Sequence, residues 1–373
     1  MTVAQHMLAQ NWDDIRLKLY SKTSQQVRAA LASPRPTWED FLALISPAGE
    51  PYLETLALKA KKITRQRFGN TVSLFVPLYL SNLCANECTY CGFTMSNRIK
   101  RTKLDKQAVA NEVAAIKAMG FDSVLLVTGE HETKAGMAYF REILPAITPH
   151  FSFVAMEVQP LDTCDYRALK QLGVNSVLVY QETYHPQRYG HYHLRGNKQD
   201  FSYRLDTPDR LGKAGMKKIG LGALLGLSDW RTDSAFTALH SERIQNTYWQ
   251  SRVSVSFPRI RPCSGGGIDA VSAITDKQLV QLICAYRVFL PDAELSLSTR
   301  ESPWFRDNVV PLAITTMSAA SQTQPGGYSE PSAALAQFST EDTRSVTEVT
   351  QAITQSGLEV VWRDWLPGFG CEV

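Results

Sequence analysis

Short apolar runs alternate along the chain with stretches in which apolar residues recur every three or four positions. Strands are expected at residues 71–80, 123–127, 153–158, 176–180, 218–223, 253–257, 295–298 and 313–318. Most of these are near-continuous apolar runs, the pattern of strands buried on both faces of a parallel sheet. The segments between them carry helix punctuation. Thr102-Lys103-Leu104-Asp105 reads as a capping box ahead of an apolar stripe at Val109, Val113 and Ile116, and Gly120 ends that helix. Thr207-Pro208 opens another, which stops at Gly215. Eight strands with helices between them over roughly 250 residues predict an α/β fold, a (β/α)8 barrel, with a six-stranded partial barrel as the alternative. Residues 1–70 read as a helical N-terminal extension and residues 71–320 as the barrel. Residues 321–373 read as a loop rich in Gln, Pro, Gly and Ser (321–339), a final helix near 340–356 and a tail.

Composition narrows the function classes. Apolar residues make up 44% of the 373 positions and charged residues 20%, with a net charge of only +3. That describes a globular protein with a large core and argues against a nucleic-acid or membrane protein. No apolar run approaches the roughly 18 residues needed to span a bilayer. Two basic stretches, 59–67 and 98–103, read as solvated surface, although the second lies near enough to the cysteines below to face a partner or an acidic ligand. Seven cysteines are an odd, sparse count, and the N-terminus lacks a secretory pattern. Reduced thiols and a cytoplasmic location are therefore expected.

Three of the cysteines lie together in Cys84-Ala-Asn-Glu-Cys88-Thr-Tyr90-Cys91-Gly92. A closed structural zinc site takes four ligands, whereas an iron–sulfur cluster held by three thiolates keeps one iron open. Zinc completed by a distant Cys263 or His131 is the alternative, but the paired C-x2-C spacing of such sites does not recur here. Cys164 and Cys284 sit in helical patterns and read as buried apolar residues, while Cys263 lies in a Gly-rich loop and its role is open.

This spacing resembles the signature of the radical S-adenosylmethionine (AdoMet) superfamily. The resemblance implies a [4Fe-4S] cluster on Cys84, Cys88 and Cys91 that binds AdoMet at its open iron and releases a 5′-deoxyadenosyl radical. It extends to further strand ends. Thr128-Gly129-Glu130 is similar to the Gly-Gly-Glu element that holds the AdoMet amino group, with Thr128 departing from the first glycine. Glu182 is implied at the ribose, Arg204 opposite the carboxylate, and Tyr90 beside the cofactor. Gly220-Leu-Gly222-Ala-Leu224-Leu-Gly226-Leu-Ser-Asp229 resembles the element that packs on the adenine, with Leu224 for isoleucine and Asp229 for glutamate.

The wider resemblance is to the 2-iminoacetate synthase family, the tyrosine lyases of thiamine thiazole biosynthesis. It rests on 76–82, 128–131, 156–160, 180–185, 255–262 and 297–302. It implies cleavage of L-tyrosine at Cα–Cβ into dehydroglycine and p-cresol, an external one-electron reductant, and thiazole synthase as partner. Arg300, with Ser298 beside it, suits the tyrosine carboxylate, since a guanidinium fork binds one bidentately. Glu157, Gln159, His185, Ser256 and Arg259 are candidates for the phenol end, without a choice among them. A related hydrogenase-maturation lyase carries a second cysteine cluster at its C-terminus; here Cys371 stands alone in the tail. A deazaflavin-forming tyrosine radical enzyme and a cluster-carrier protein are the remaining alternatives.

Overall fold

The computed structural model describes residues 2–263, 267–330 and 336–363. Eight parallel strands close on themselves: β1 (Thr71–Ser81), β2 (Ser123–Thr128), β3 (Phe153–Glu157), β4 (Ser176–Leu178), β5 (Lys218–Gly222), β6 (Arg252–Ser256), β7 (Glu294–Leu297) and β8 (Thr316–Ser318). β8 returns to β1 with Thr316 opposite Ser73, so the barrel is complete and the six-stranded form is excluded. β9 (Glu359–Val361) adds beside the first residues of β1. Its three residues were missed because so short a strand shows no period.

The expected strands are found, with one physical difference. Their two faces are not equivalent. In β1, Val72, Leu74, Val76, Leu78 and Leu80 are fully buried against the surrounding helices. Their neighbours Ser73, Phe75, Pro77 and Tyr79 face the lumen and line cavities. The same alternation puts Val253 and Val255 outside and Ser254 and Ser256 inside β6. Among the inward residues, Ser73, Ser254, Ser256 and Ser296 leave space inside the barrel.

Helix boundaries differ by a few residues from the expected ones. The helix Lys106–Ala118 is capped by Asp105 itself, whose carboxylate accepts from the Ala108 N–H at 2.9 Å, so Thr102 is not part of a capping box. Thr207 is the first helical residue of Thr207–Lys213 and not its cap; the preceding residue, Asp206, is. The final helix is Val346–Gln355, capped by Ser345. Asp229 caps the helix Trp230–Thr247 and accepts from Tyr20 at 2.6 Å.

Five α-helices, from Val3–Leu8 to Leu53–Phe68, precede the barrel. They cover one side of it. The Trp38 indole donates to the Ala235 carbonyl (2.9 Å), and the Gln281 amide donates to Leu44 and Ser46. Covered in this way, nearly every side chain from Leu279 to Phe289 is buried. Cys284 is among them, as expected, but Cys164 is exposed on the outer face of its helix, which turns Tyr166 and Leu169 inward instead. Cys371 lies outside the described residues. Among the described residues no helix is long and apolar enough to cross a membrane.

Candidate functional site

At the C-terminal mouth of the barrel, the usual place for chemistry in this architecture, one cavity is lined by Cys84, Cys88, Tyr90, Cys91, Thr128, Gly129, Glu130, Glu157, Glu182, Arg204, Leu224, Ser256, Ser298 and Arg300 among others. The cysteine loop leaves β1 directly. The Arg101 guanidinium gathers it, donating to the carbonyls of Asn82 (2.8 Å), Phe93 (2.9 Å), Thr94 (2.6 Å) and Asn97 (3.2 Å). Of the basic run 98–103, this residue is therefore an internal anchor. Gly129 lies so close that a Cβ would meet the Leu83 carbonyl oxygen at 2.3 Å, and Ala85 N–H donates to the Glu130 carbonyl at 2.8 Å. The loops after β1 and β2 thus form one unit.

Beside the thiols lies a buried ionic quartet. Glu130 Oε1 accepts from Arg204 (2.9 Å), and Glu182 Oε1 accepts from Lys198 (2.8 Å) and lies 3.5 Å from Arg204. Asn86, from within the cysteine loop, donates to the other oxygen of Glu130 at 2.9 Å. Burial opposes ionisation of both carboxyls, but the two cations overcome it and hold them below the usual carboxylate range. Glu182 reaches the quartet from a backbone with φ of +68°, an uncommon conformation for a residue with a side chain. The next two residues are fixed by Asp233, which accepts from the Thr183 hydroxyl (3.0 Å) and the Tyr184 N–H (2.7 Å). Tyr90 donates to His193 Nε2 at 2.7 Å, because the other ring nitrogen donates to the Tyr189 carbonyl.

The opposite wall differs in electrostatics. Burial pushes the Glu157 carboxyl up to about 7, against the pull of Arg300. Among the described residues the Arg300 guanidinium has no carboxylate or hydrogen-bond partner; it stacks on Phe338, 3.4 Å from the ring centroid. Burial pulls its pKa below the ordinary value. Its neighbour Glu301 is 1% exposed and is held by Arg259 and Arg261.

Some of the other candidates lie elsewhere. Arg259 is committed to Glu301 and to Asp276 at 2.7 Å. His185 lines a separate depression with Trp12, packed 4.9 Å from its ring. Gln159 is buried and donates weakly to Ala135 O at 3.4 Å. Glu157 and Ser256 remain on the cavity wall. Gly222 sits where a Cβ would press on Tyr180 at 2.9 Å. Cys263 is half-buried; burial, then the charge of Cys91, raises its pKa. Sequence reasoning missed Lys198, Asn86, Tyr180 and Gln337, all of them on the cavity wall. Only Asn86, between two cysteines, carried a local signal.

The donor set fits an iron–sulfur cluster. Cys84, Cys88 and Cys91 all face one cavity. A cluster spreads its thiolates over separate irons. The charge-balanced quartet beside the thiols fits a zwitterionic amino acid. This barrel, with three thiols and a charge-balanced ionic quartet at its mouth, has the architecture of a radical AdoMet enzyme, and residues 78–238 match the Radical SAM superfamily. Residues 256–359 match the Biotin and Thiamin Synthesis associated domain. The chain is 60% identical, over 95% of its length and 94% of the relative's, to 2-iminoacetate synthase of Escherichia coli K12, and 58% identical to that of Salmonella typhimurium over 95% of its length and 94% of that relative's. The crystal structure of HydG, a maturase of the [FeFe]-hydrogenase, superposes with a TM-score of 0.88 at 29% identity, over 94% of this chain and 80% of that one. The chain belongs to the 2-iminoacetate synthase family. Its cofactors are a [4Fe-4S] cluster and AdoMet.

Proposed function

We infer that the chain cleaves L-tyrosine at Cα–Cβ to 2-iminoacetate and p-cresol, supplying thiazole formation in thiamine biosynthesis. The family relation supports this, and the observation that carries it is Arg300. A guanidinium with no carboxylate partner among the described residues, in a half-buried wall facing the same cavity as the three cysteines, is a carboxylate site in waiting.

When bound, the reduced cluster and AdoMet together supply a hydrogen-abstracting radical. The chain's own residues place the reactants. Cys84, Cys88 and Cys91 hold the cluster. Glu130 takes the AdoMet ammonium, Arg204 its carboxylate, and Glu182 its ribose; Tyr90, Thr128, Gly129, Gly222 and Leu224 complete that side. Two cations and two carboxylates already balance in the quartet, so these residues would meet the ammonium and carboxylate of the amino-acid end of AdoMet by exchanging partners, while its sulfonium would remain an added positive charge beside the thiolates. Ser298 and Arg300 hold the tyrosine carboxylate. Glu157 and Ser256 stand at the phenol end, and Glu157, pushed by burial up to about 7, is poised between its two protonation states near neutral pH, which suits it to share or donate a proton there. The product passes to thiazole synthase as a complex partner in the cytoplasm, with electrons from an external low-potential donor.

The test is anaerobic. The chain is loaded with iron and sulfide, then given AdoMet, reductant and L-tyrosine. 5′-Deoxyadenosine together with p-cresol is the expected result. Deoxyadenosine without p-cresol rejects tyrosine cleavage.

A further inference from the structure

The segment 336–342 crosses the mouth of the barrel far from the cysteines in sequence, and it touches both ends of the site. The Gln337 side chain lies between Tyr79 and Cys91. The Tyr79 hydroxyl donates to Gln337 Oε1 at 2.8 Å, which leaves Nε2 as the end facing the Cys91 sulfur, at 3.7 Å. The next residue, Phe338, carries the Arg300 guanidinium on its ring face. Adjacent residues therefore touch a thiol of the cysteine cluster and the Arg300 cation of the opposite wall.

The strap is firmly held. Gln337 N–H donates to Thr323 O (2.9 Å), and the Thr323 hydroxyl donates to Phe338 O (2.9 Å). The N–H groups of Glu341 and Asp342 both donate to the Thr299 carbonyl, at 3.0 and 3.1 Å, next to Arg300 in the chain. Arg306 and Asp342, both fully buried, pair beneath it. Gly92, following the third cysteine, packs so tightly on the strap that a Cβ would sit 2.3 Å from the Gln337 carbonyl oxygen.

We propose that Gln337 and Phe338 are positioning residues that tie the cluster to the substrate carboxylate site: Gln337 sets the cluster's reduction potential through an N–H···S bond to Cys91, and Phe338 holds Arg300 ready for the substrate carboxylate. This rests on the reading that Cys91 ligates the cluster and Arg300 receives tyrosine. An N–H aimed at a ligating sulfur favours the reduced, more negative cluster and so raises its potential. Because the two side chains are neighbours on one strap, a carboxylate arriving at Arg300 is felt at the sulfur.

The experiment is a redox titration of the cluster-loaded full chain, followed by electron paramagnetic resonance with and without tyrosine. It is paired with iron content and equilibrium tyrosine binding. Gln337→Leu should load a full cluster whose midpoint potential is more negative than that of the wild type, and Gln337→Glu more negative again. Tyrosine should shift the wild-type potential and leave that of Gln337→Leu unmoved. Phe338→Leu should weaken tyrosine binding by about 3- to 30-fold, the value of one cation–π contact, and Phe338→Tyr should restore it. A fully loaded Gln337→Leu with the wild-type potential overturns the proposal, as does unchanged tyrosine affinity in Phe338→Leu. If those results come from a wild type that forms both products, only the strap is refuted. A wild type that takes up no cluster refutes the underlying reading as well.

Discussion

Arg300→Met separates a binding cation from a structural one. The substitution removes the charge and keeps a long apolar stem over Phe338. Two charge-assisted hydrogen bonds to a carboxylate, at about 1.5–3 kcal/mol each, put the loss of binding at about 3–6 kcal/mol. That is roughly 10²- to 10⁴-fold weaker tyrosine affinity. Stability should respond differently. No carboxylate is paired with Arg300 among the described residues, so none is orphaned by its removal. The lost cation–π contact, about 0.5–2 kcal/mol, is offset by relief from burying a cation. The urea midpoint should therefore report a change of no more than about 1 kcal/mol. The assay is equilibrium binding of tyrosine to the anaerobic, AdoMet-loaded protein, alongside urea unfolding of the same samples. A loss of several kcal/mol in stability with tyrosine affinity intact would refute the argument and make Arg300 a structural residue.

The contrast case is Arg306→Met, which takes one of two arginine partners from the buried Asp342 and leaves it Arg344 at 2.8 Å; the loss of a charge-assisted hydrogen bond, about 1.5–3 kcal/mol of stability by urea unfolding, is expected, and a neutral result would show the pair to be dispensable. Glu157 is a second probe. Its native carboxyl keeps its proton up to about pH 7 while the unfolded one releases it near 4.5, so the native state binds the extra proton between those values and loses stability as pH rises through that window, by about 3 kcal/mol in all. Glu157→Gln should lack this slope when urea midpoints at pH 5 and pH 8 are compared; equal slopes would refute the assignment. Arg101→Leu removes the donors that gather four carbonyls of the cysteine loop and should at least halve iron uptake, measured per chain, while leaving the melting of the barrel in place. Cys88→Ala should abolish both products and the cluster's paramagnetic signal, and a variant that retains either would remove Cys88 from the ligand set.

The barrel was legible because each strand is a local event. A short apolar run such as residues 123–127 or 153–158 stands out within a few residues, and the helices between announce themselves by stripe and cap, whereas the unequal faces of Val72-Ser73-Leu74-Phe75 show only once the barrel closes. Cys84, Cys88 and Cys91 were legible for the same reason, being contiguous. Lys198 was not. It lies 16 residues from Glu182 and farther still from Glu130 in sequence, in a loop with no period, and only the closing of the barrel brings it to either. Gln337 is a harder case, 246 residues from Cys91. Arg259 shows the opposite failure. It has the right residue type near the right strand end, but nearly fully buried Glu301 needs cations, and that demand is invisible until the fold places them side by side.

The hollow lumen has a consequence for how this chain tolerates change. Along each strand, every second residue answers to the helices outside and the others answer to the cavity. The first set includes Leu74, Leu126, Ile219 and Val255, which are 0–1% exposed, and trimming them opens a void in the packed layer. The second set includes Ser254 and Ser296, which border open space. Enlarging them fills room that is already there. Stability and substrate range are therefore written at alternate positions of the same eight strands, and a search for altered specificity can vary one parity of each strand while leaving the other untouched.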